Sequence, residues 1–246
     1  GGIEMQALIL NSGLGSRMGA LTENKHKSMV EIQEGLTLIT YQLRTLSQMG
    51  ITDIVMTTGH MKDQLIHHIR DEFSDKLNIS FVNNPKYATT NYIYSIYLAL
   101  QELKEDLFLF HGDLYFDKSV ITDLMESEQS VVVVDTTLPL PEKDFKAEVQ
   151  DGSIKKIATY INDERCIACQ PLYKLTFEDW KTWAAAIGKF CEEGKTNVYA
   201  EEALNTILDQ LPLKALDLQG KLCMEVDTQD DLMVLQTKIR KEGMKL

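Results

Sequence analysis

The sequence predicts an α/β fold: a Rossmann-like, mixed but mostly parallel sheet with helices on both faces and antiparallel additions in the C-terminal half. Three observations carry this expectation. Strand-sized apolar runs alternate with amphipathic stretches through short links as far as Asp135, the order that builds a parallel sheet covered on both faces. Beyond Asp135, Asp151-Gly152 sits between two alternating segments and marks a hairpin. The 246 residues, 44% hydrophobic and 25% charged, have ordinary globular composition. Residues 1–4 read as a tag remnant ahead of Met5. Residues 5–246 read as one domain with halves of about 5–135 and 136–246, because no Pro/Gly-rich linker separates them.

Taken in order, Ala7 to Asn11 is a short apolar run that ends in glycines, a buried first strand. Ser12 to Glu34 is polar and irregular. Ile39, Leu43 and Leu46 recur at helical spacing and stop at Gly50. Asp53 to Thr58 is a strand, Met61 to Phe73 a helix, and Ile79 to Val82 a strand. A loop rich in Asn and Thr precedes a helix with Ile93, Ile96, Tyr97, Leu100 and Leu103 on one face. Leu107 to Phe110 is a strand that runs into His111-Gly112-Asp113. A helix from about Ser119 then leads to the valine strand at Val131. The second half reads as the hairpin, a strand from Cys166 to Tyr173, helices near 177–190 and 199–210, a strand at Lys214 to Leu218, the segment Leu222 to Val226, and a last helix that turns Leu232, Leu235 and Ile239 inward. The lone Cys166-x-x-Cys169 has no second pair, and buried thiols in a reducing compartment account for it better than a metal.

The charge balance narrows the function. There are 37 acidic against 25 basic side chains, a net charge of −12, and generic nucleic-acid binding needs the opposite surplus. No apolar run approaches the roughly 18 residues of a membrane span, and no secretory leader is evident, so a cytoplasmic protein is expected. An anionic ligand must therefore meet local positive charge or a metal inside an acidic molecule.

The strongest motif is Leu10-Asn11-Ser12-Gly13-Leu14-Gly15-Ser16-Arg17, with Lys27 ten residues past Arg17. Glycines after a strand let backbone N–H groups approach phosphate with no Cβ in the way. The dinucleotide fingerprint fails, since Met18 stands where it needs glycine and the next periodic helix begins some twenty residues on. The string of a P-loop is absent. Asp113 and Asp227 lie at strand ends and supply hard oxygen ligands suited to Mg²⁺. Arg17 and Lys27 supply fixed positive charge. Each piece alone has a plain structural reading: a tight turn, a solvated charge, a helix cap for Asp227. Their combination at strand C-termini points to a ligand site.

With Gly13, Gly15 and Arg17 in place, and His26-Lys27 where a Pro-Lys pair is usual, the chain resembles the nucleotidyltransferases that couple a nucleoside triphosphate to a phosphorylated small molecule. Asn91-Tyr92-Ile93-Tyr94-Ser95, Gly112-Asp113, the segment from Tyr199 to Asn205 and Glu225-Val226-Asp227-Thr228 extend the resemblance over nearly the whole chain. The first and last of these four are similar to bacterial cytidylyltransferases that activate phosphocholine or 2-aminoethylphosphonate with CTP. The resemblance implies transfer of CMP with release of pyrophosphate, Mg²⁺ as cofactor, the first half for the nucleotide and the second for the acceptor. It implies nucleotide contacts from Leu10, Asn11, Ser12, Gly13, Gly15, Ser16, Asn91 and Ser95, and from Thr58 and Gly59, where a glycine would let the pyrimidine rest on backbone. It makes Arg17 and Lys27 catalytic, and Lys146, before the Asp-Gly turn, a second phosphate-neutralising group. Acceptor contacts are expected from Tyr115, Tyr199, Glu201 and Glu202: aromatic faces suit a trimethylammonium group, carboxylates a primary ammonium. A sugar-1-phosphate nucleotidyltransferase, or a nucleotide-sensing domain without catalysis, would use the same fold.

Overall fold

The first strand is apolar on both faces, as a strand buried in the middle of a parallel sheet must be. In the computed structural model, which describes residues 4–243 and 246, β1 (Met5–Asn11) pairs in parallel with β4 (Asp53–Thr58) on one side and β6 (Asp106–His111) on the other. β5 (Asn78–Asn83) adds in parallel beyond β4. Of the expected tag remnant at 1–4, residues 1–3 lie outside the described residues. Ala7 and Ile9 turn to one face of the sheet, against α1 (Leu38–Gln48), α2 (Lys62–Phe73) and α4 (Lys118–Glu126). Leu8 and Leu10 turn to the other, against α3 (Tyr92–Ala99), α5 (Phe177–Glu192) and α6 (Ala200–Asn205). The period-2 alternation along a strand thus feeds two hydrophobic layers.

The antiparallel additions lie where the sequence predicts them. β11 (Cys166–Leu175) runs antiparallel to β6 and to β8 (Val131–Asp135). β12 (Lys214–Asp217) runs parallel to β8. β9 (Lys146–Gln150) and β10 (Ser153–Ala158) form the hairpin, with positive φ at Asp151 and Gly152. The strand order is β5-β4-β1-β6-β11-β8-β12-β10-β9, and β9 also pairs with the start of β11, so this end of the sheet curls back on itself. The sheet therefore runs unbroken across residue 135. Cys166, Cys169, Cys191 and Cys223 are buried free thiols. Among the described residues no helix is long and apolar enough to cross a membrane.

Two small pieces were not legible in the sequence, and they form a third layer. β2 (Glu31–Gln33) and β3 (Leu36–Thr37) make a short hairpin, and β7 (Leu114–Phe116) pairs antiparallel with β13 (Cys223–Glu225). The last helix, α7 (Gln229–Lys241), packs Leu232, Leu235 and Ile239 against Met18, Ile32, Leu38 and Tyr41. This layer carries the chain's end back to its beginning. Thr228 caps α7 by accepting from the Asp231 N–H, while Asp231 accepts from the backbone of Thr228: a capping box. Thr228→Ala should cost about 1 kcal/mol in urea denaturation; an unchanged midpoint would show that the third layer holds α7 without its cap.

Candidate active site

β1 and β6 lie side by side, and the chain leaves them in opposite directions, which opens a crevice at their carboxyl ends. Asn11, Ser12 and Gly13 follow β1, and His111, Gly112 and Asp113 close β6. The two ends fit closely: a Cβ at Gly112 would stand 1.8 Å from the Asn11 Oδ1, so any side chain there would drive Asn11 from its place. Gly15 has φ +69°, a left-handed conformation suited to glycine, and a Cβ on it would sit 3.0 Å from the Cβ of Lys27. The glycine loop is thus the surface along which the Lys27 stem runs. Over Gly13 the space is open, with nothing within 4 Å of a Cβ built there.

The stem of Lys27 ends between carboxylates. Its Nζ lies 2.5 Å from Asp113 Oδ2 and 2.6 Å from Asp227 Oδ1, and Arg17 reaches Asp227 Oδ2 at 3.3 Å from the surface. Asp227 is spared from capping α7 because Thr228 and Asp231 do that. Glu225 joins them: carboxylate oxygens of Asp113, Glu225 and Asp227 all lie within 4.8 Å of one another. Burial pushes Asp113 up to about 6, against the pull of the Lys27 ammonium. Burial, then the charges of Asp113 and Asp227, hold Glu225 well above the usual carboxylate range. Burial acts the same way on Asp227, but its neighbours Asp113 and Lys27 outweigh it and hold Asp227 low. Burial likewise lowers the affinity of Lys27 for its proton, yet the two aspartates more than reverse this, and the ammonium stays charged.

This donor set fits a hard divalent cation. The Oδ1 of Asp113 is buried and has no hydrogen-bond partner, which is costly for a carboxylate oxygen unless a ligand completes it. Glu225 was missed as a site residue, although the signal was present: residues 225 and 227 are two apart, and such residues share one face of an extended segment.

A cavity of about 290 Å³ opens beside this cluster. Leu10, Asn11, Ser12, Gly13, Lys27, Asn91, Ser95 and Asp113, all expected as site residues, line it, together with His26, Asn84, Tyr92 and His111, to which no contact was assigned. Ser12 Oγ and Ser95 Oγ are 2.6 Å apart, and Asn84 donates to Ser95 and to Thr90. Asn91 accepts from the Tyr92 N–H at the start of α3. Other expected nucleotide residues lie outside the cavity. Ser16 borders a neighbouring hollow beside His60. Thr58 is buried in β4. Gly59 is buried, and a Cβ there would come within 2.8 Å of the Ser12 carbonyl and of Tyr87, so this glycine allows two loops to close on each other.

Three further expectations are corrected. Tyr115 is fully buried, stacked on Tyr41 at 4.9 Å with its hydroxyl on Asp117, and does not reach the cavity. Lys146 is buried and donates to the carbonyls of Pro141 (2.7 Å) and Glu142 (3.1 Å), so its charge ties down the loop before β9 rather than standing ready for phosphate. Glu201 faces inward, with one oxygen accepting from the Tyr92 hydroxyl and the other, at 2.7 Å, from that of Tyr173. Glu202 is exposed. Tyr199 is half exposed, stacked on Tyr92 at 5.8 Å and edge-on to Phe145 at 5.2 Å, an aromatic row that leads out of the cavity.

The fold and these strand-end residues define a nucleotidyltransferase. The chain belongs to the MobA-like NTP transferase domain family, which matches residues 7–141. Among curated proteins it is 28% identical to a choline-phosphate cytidylyltransferase of Streptococcus pneumoniae, over 97% of this chain and 100% of that one. It is 26% identical to a CTP:phosphoglutamine cytidylyltransferase of Campylobacter jejuni, over 94% and 98%. Among solved structures, an inositol-1-phosphate CTP transferase of T. maritima superposes with a TM-score of 0.78 at 23% identity, covering 100% and 99% of the two chains.

The carboxylate cluster sets a test that needs no substrate. Removing one partner from a buried ion pair costs about 3–5 kcal/mol, so Lys27→Met should melt well below the parent. Mn²⁺ should raise its melting point more than it raises the parent's, because the cation takes the place of the ammonium. An equal Mn²⁺ response in the two proteins would separate Lys27 from the cation site.

Proposed function

We propose that this chain is a cytidylyltransferase that moves CMP from CTP to a small phosphate or phosphonate bearing an amino or choline-type head group, and releases pyrophosphate. One observation supports this most: Lys27 and Arg17 converge with Asp113, Glu225 and Asp227, and Lys27 and Asp113 line the cavity at the strand ends. Such a site can neutralise two polyanions that must meet. The relatives named above, and a CMP-5′-(3-aminopropyl)phosphonate synthase of Streptomyces rubellomurinus that is 29% identical over 66% of this chain and 25% of its own length, agree with CTP as donor.

In this reading Leu10, Asn11, Ser12 and Gly13 hold the nucleoside against β1, with Asn91 and Ser95 on the facing helix. Gly15 leaves the loop's N–H groups and the Lys27 stem close together. Lys27 and Arg17 offset the triphosphate charge. An acceptor oxygen forms a bond to the α-phosphorus, the α–β bridging bond breaks, and its electron pair leaves on pyrophosphate. The acceptor phosphate or phosphonate is already anionic near neutral pH, so no residue has to act as a general base. Asp113 and Asp227, with Glu225 beside them, would hold Mg²⁺, which supplies Lewis-acid stabilisation of charge on the phosphates. Tyr199, with Tyr92 and Phe145, offers aromatic faces to a cationic head group, and Glu202 adds negative charge on the same helix. We place the reaction in the cytoplasm, consistent with four free thiols.

A pyrophosphate-release screen tests the reading. It crosses the four nucleoside triphosphates with phosphocholine, phosphoethanolamine, 2-aminoethylphosphonate and hexose 1-phosphates. The expected pair is CTP with one of the first three; UTP with a hexose phosphate, or no turnover at all, would overturn it. With the active pair, Asp113→Asn should lose at least about 100-fold in kcat, the size typical of one transition-state electrostatic partner, while CTP still binds.

A further inference from the structure

Among the cavity residues, His26 is one whose chemistry the reaction leaves unused. Its ring is buried, 3% exposed. The Ser28 backbone N–H donates to His26 Nδ1 at 3.1 Å. A backbone amide is always the donor, so Nδ1 is the bare nitrogen and, in a neutral ring, Nε2 carries the proton. Nε2 lies 3.1 Å from the backbone carbonyl of Asn11 and donates to it. Burial pushes this imidazole down to about 4, which keeps the ring in the form the geometry requires. The ring thus spans from the turn that begins at Lys27 to the last residue of β1. From the other side the His26 N–H donates to the Gln64 side chain at 2.8 Å, and Gln64 donates to the Asn24 carbonyl.

We propose that His26 is a positioning residue: its imidazole fastens the Lys27 turn to the end of β1, and so sets where the Lys27 ammonium stands relative to the carboxylates and the nucleotide cavity. A lysine stem has four rotatable carbons and does not hold its head group in place unaided. The Cα of Lys27 is held by the strut one residue earlier, its Cβ by the contact over Gly15, and its Nζ by Asp113 and Asp227. The β1 end that His26 grips is the same backbone that lines the nucleotide site, so cation site and nucleotide site share one anchor. The kinetic part of this inference rests on the cytidylyltransferase reading; the anchoring part does not.

Two replacements separate the ring's two ends, Nδ1 on the Ser28 N–H and hydroxyl and Nε2 on the Asn11 carbonyl. His26→Asn keeps an acceptor for the Ser28 N–H and loses the reach to Asn11. His26→Gln keeps a donor for the Asn11 carbonyl and gives up the Ser28 end. In protein without nucleotide, His26→Asn should bind Mn²⁺ several-fold more tightly than the parent, because the competing ammonium is no longer held in register; His26→Gln should stay near the parent. With the acceptor found in the screen, His26→Asn should lose about tenfold in kcat, in line with the cost of small misplacements, with less change in KM, and His26→Gln should recover most of it. Parental Mn²⁺ binding and kcat in His26→Asn, or the same loss in both variants, would overturn the proposal. Should both variants fold poorly, ¹⁵N-histidine NMR of the unaltered protein decides: an Nε2–H tautomer with a slowly exchanging proton supports the strut, and an Nδ1–H tautomer refutes it. Absence of turnover with every acceptor, while the Mn²⁺ and NMR results hold, would count against the proposed reaction and leave the strut standing.

Discussion

Three carboxylates held within 4.8 Å of one another repel by about 3 kcal/mol per ionised pair at an effective dielectric near 20. No fold keeps such a group without a cation or a shared proton. Here both devices operate: Lys27 bridges two of the acids, and Glu225 holds its proton far more tightly than an ordinary glutamate. The site is therefore built around a position that must be positive. The lysine fills that position in the protein alone, and the orphaned Asp113 oxygen beside it shows that the lysine does not satisfy every acceptor.

The rest of the architecture serves to bring these charges together. Lys27 meets Asp113 across 86 residues and Asp227 across 200. β6 delivers Asp113 beside β1. The third layer delivers Asp227: the pairing of β7 with β13 fixes the approach, and the apolar face of α7 anchors the end. Two glycines make room, Gly112 for the Asn11 side chain and Gly15 for the Lys27 stem. The capping box completes the arrangement, because it releases Asp227 from the cap role that its place before a helix suggests.

Much of this was legible before any coordinates. β1, β4, β6 and β8 are apolar runs too hydrophobic to be exposed, and the Asp-Gly turn marks its hairpin. The site residues that follow strand ends were legible for the same reason, since strand ends in a parallel sheet gather on one side. What could not be read depends on tertiary partners. β7 and β13 have three residues each, too few to show a period. Tyr115 has the look of a ligand-facing aromatic until Tyr41 stacks on it. Lys146 and Glu201 are charged residues whose partners are a loop carbonyl pair and two tyrosine hydroxyls, and neither pairing has a spacing rule. His26 shows in the sequence only as the residue beside Lys27, because what it grips at the end of β1 is a backbone carbonyl, which every residue carries.

Crystals grown with CTP and Mn²⁺ and measured at the manganese edge give the most direct test of the central claim. The account predicts an anomalous peak in contact with Asp113 and Asp227, with the Lys27 ammonium displaced toward the phosphates. A peak elsewhere, or a lysine still seated between the two aspartates in the loaded protein, would contradict it.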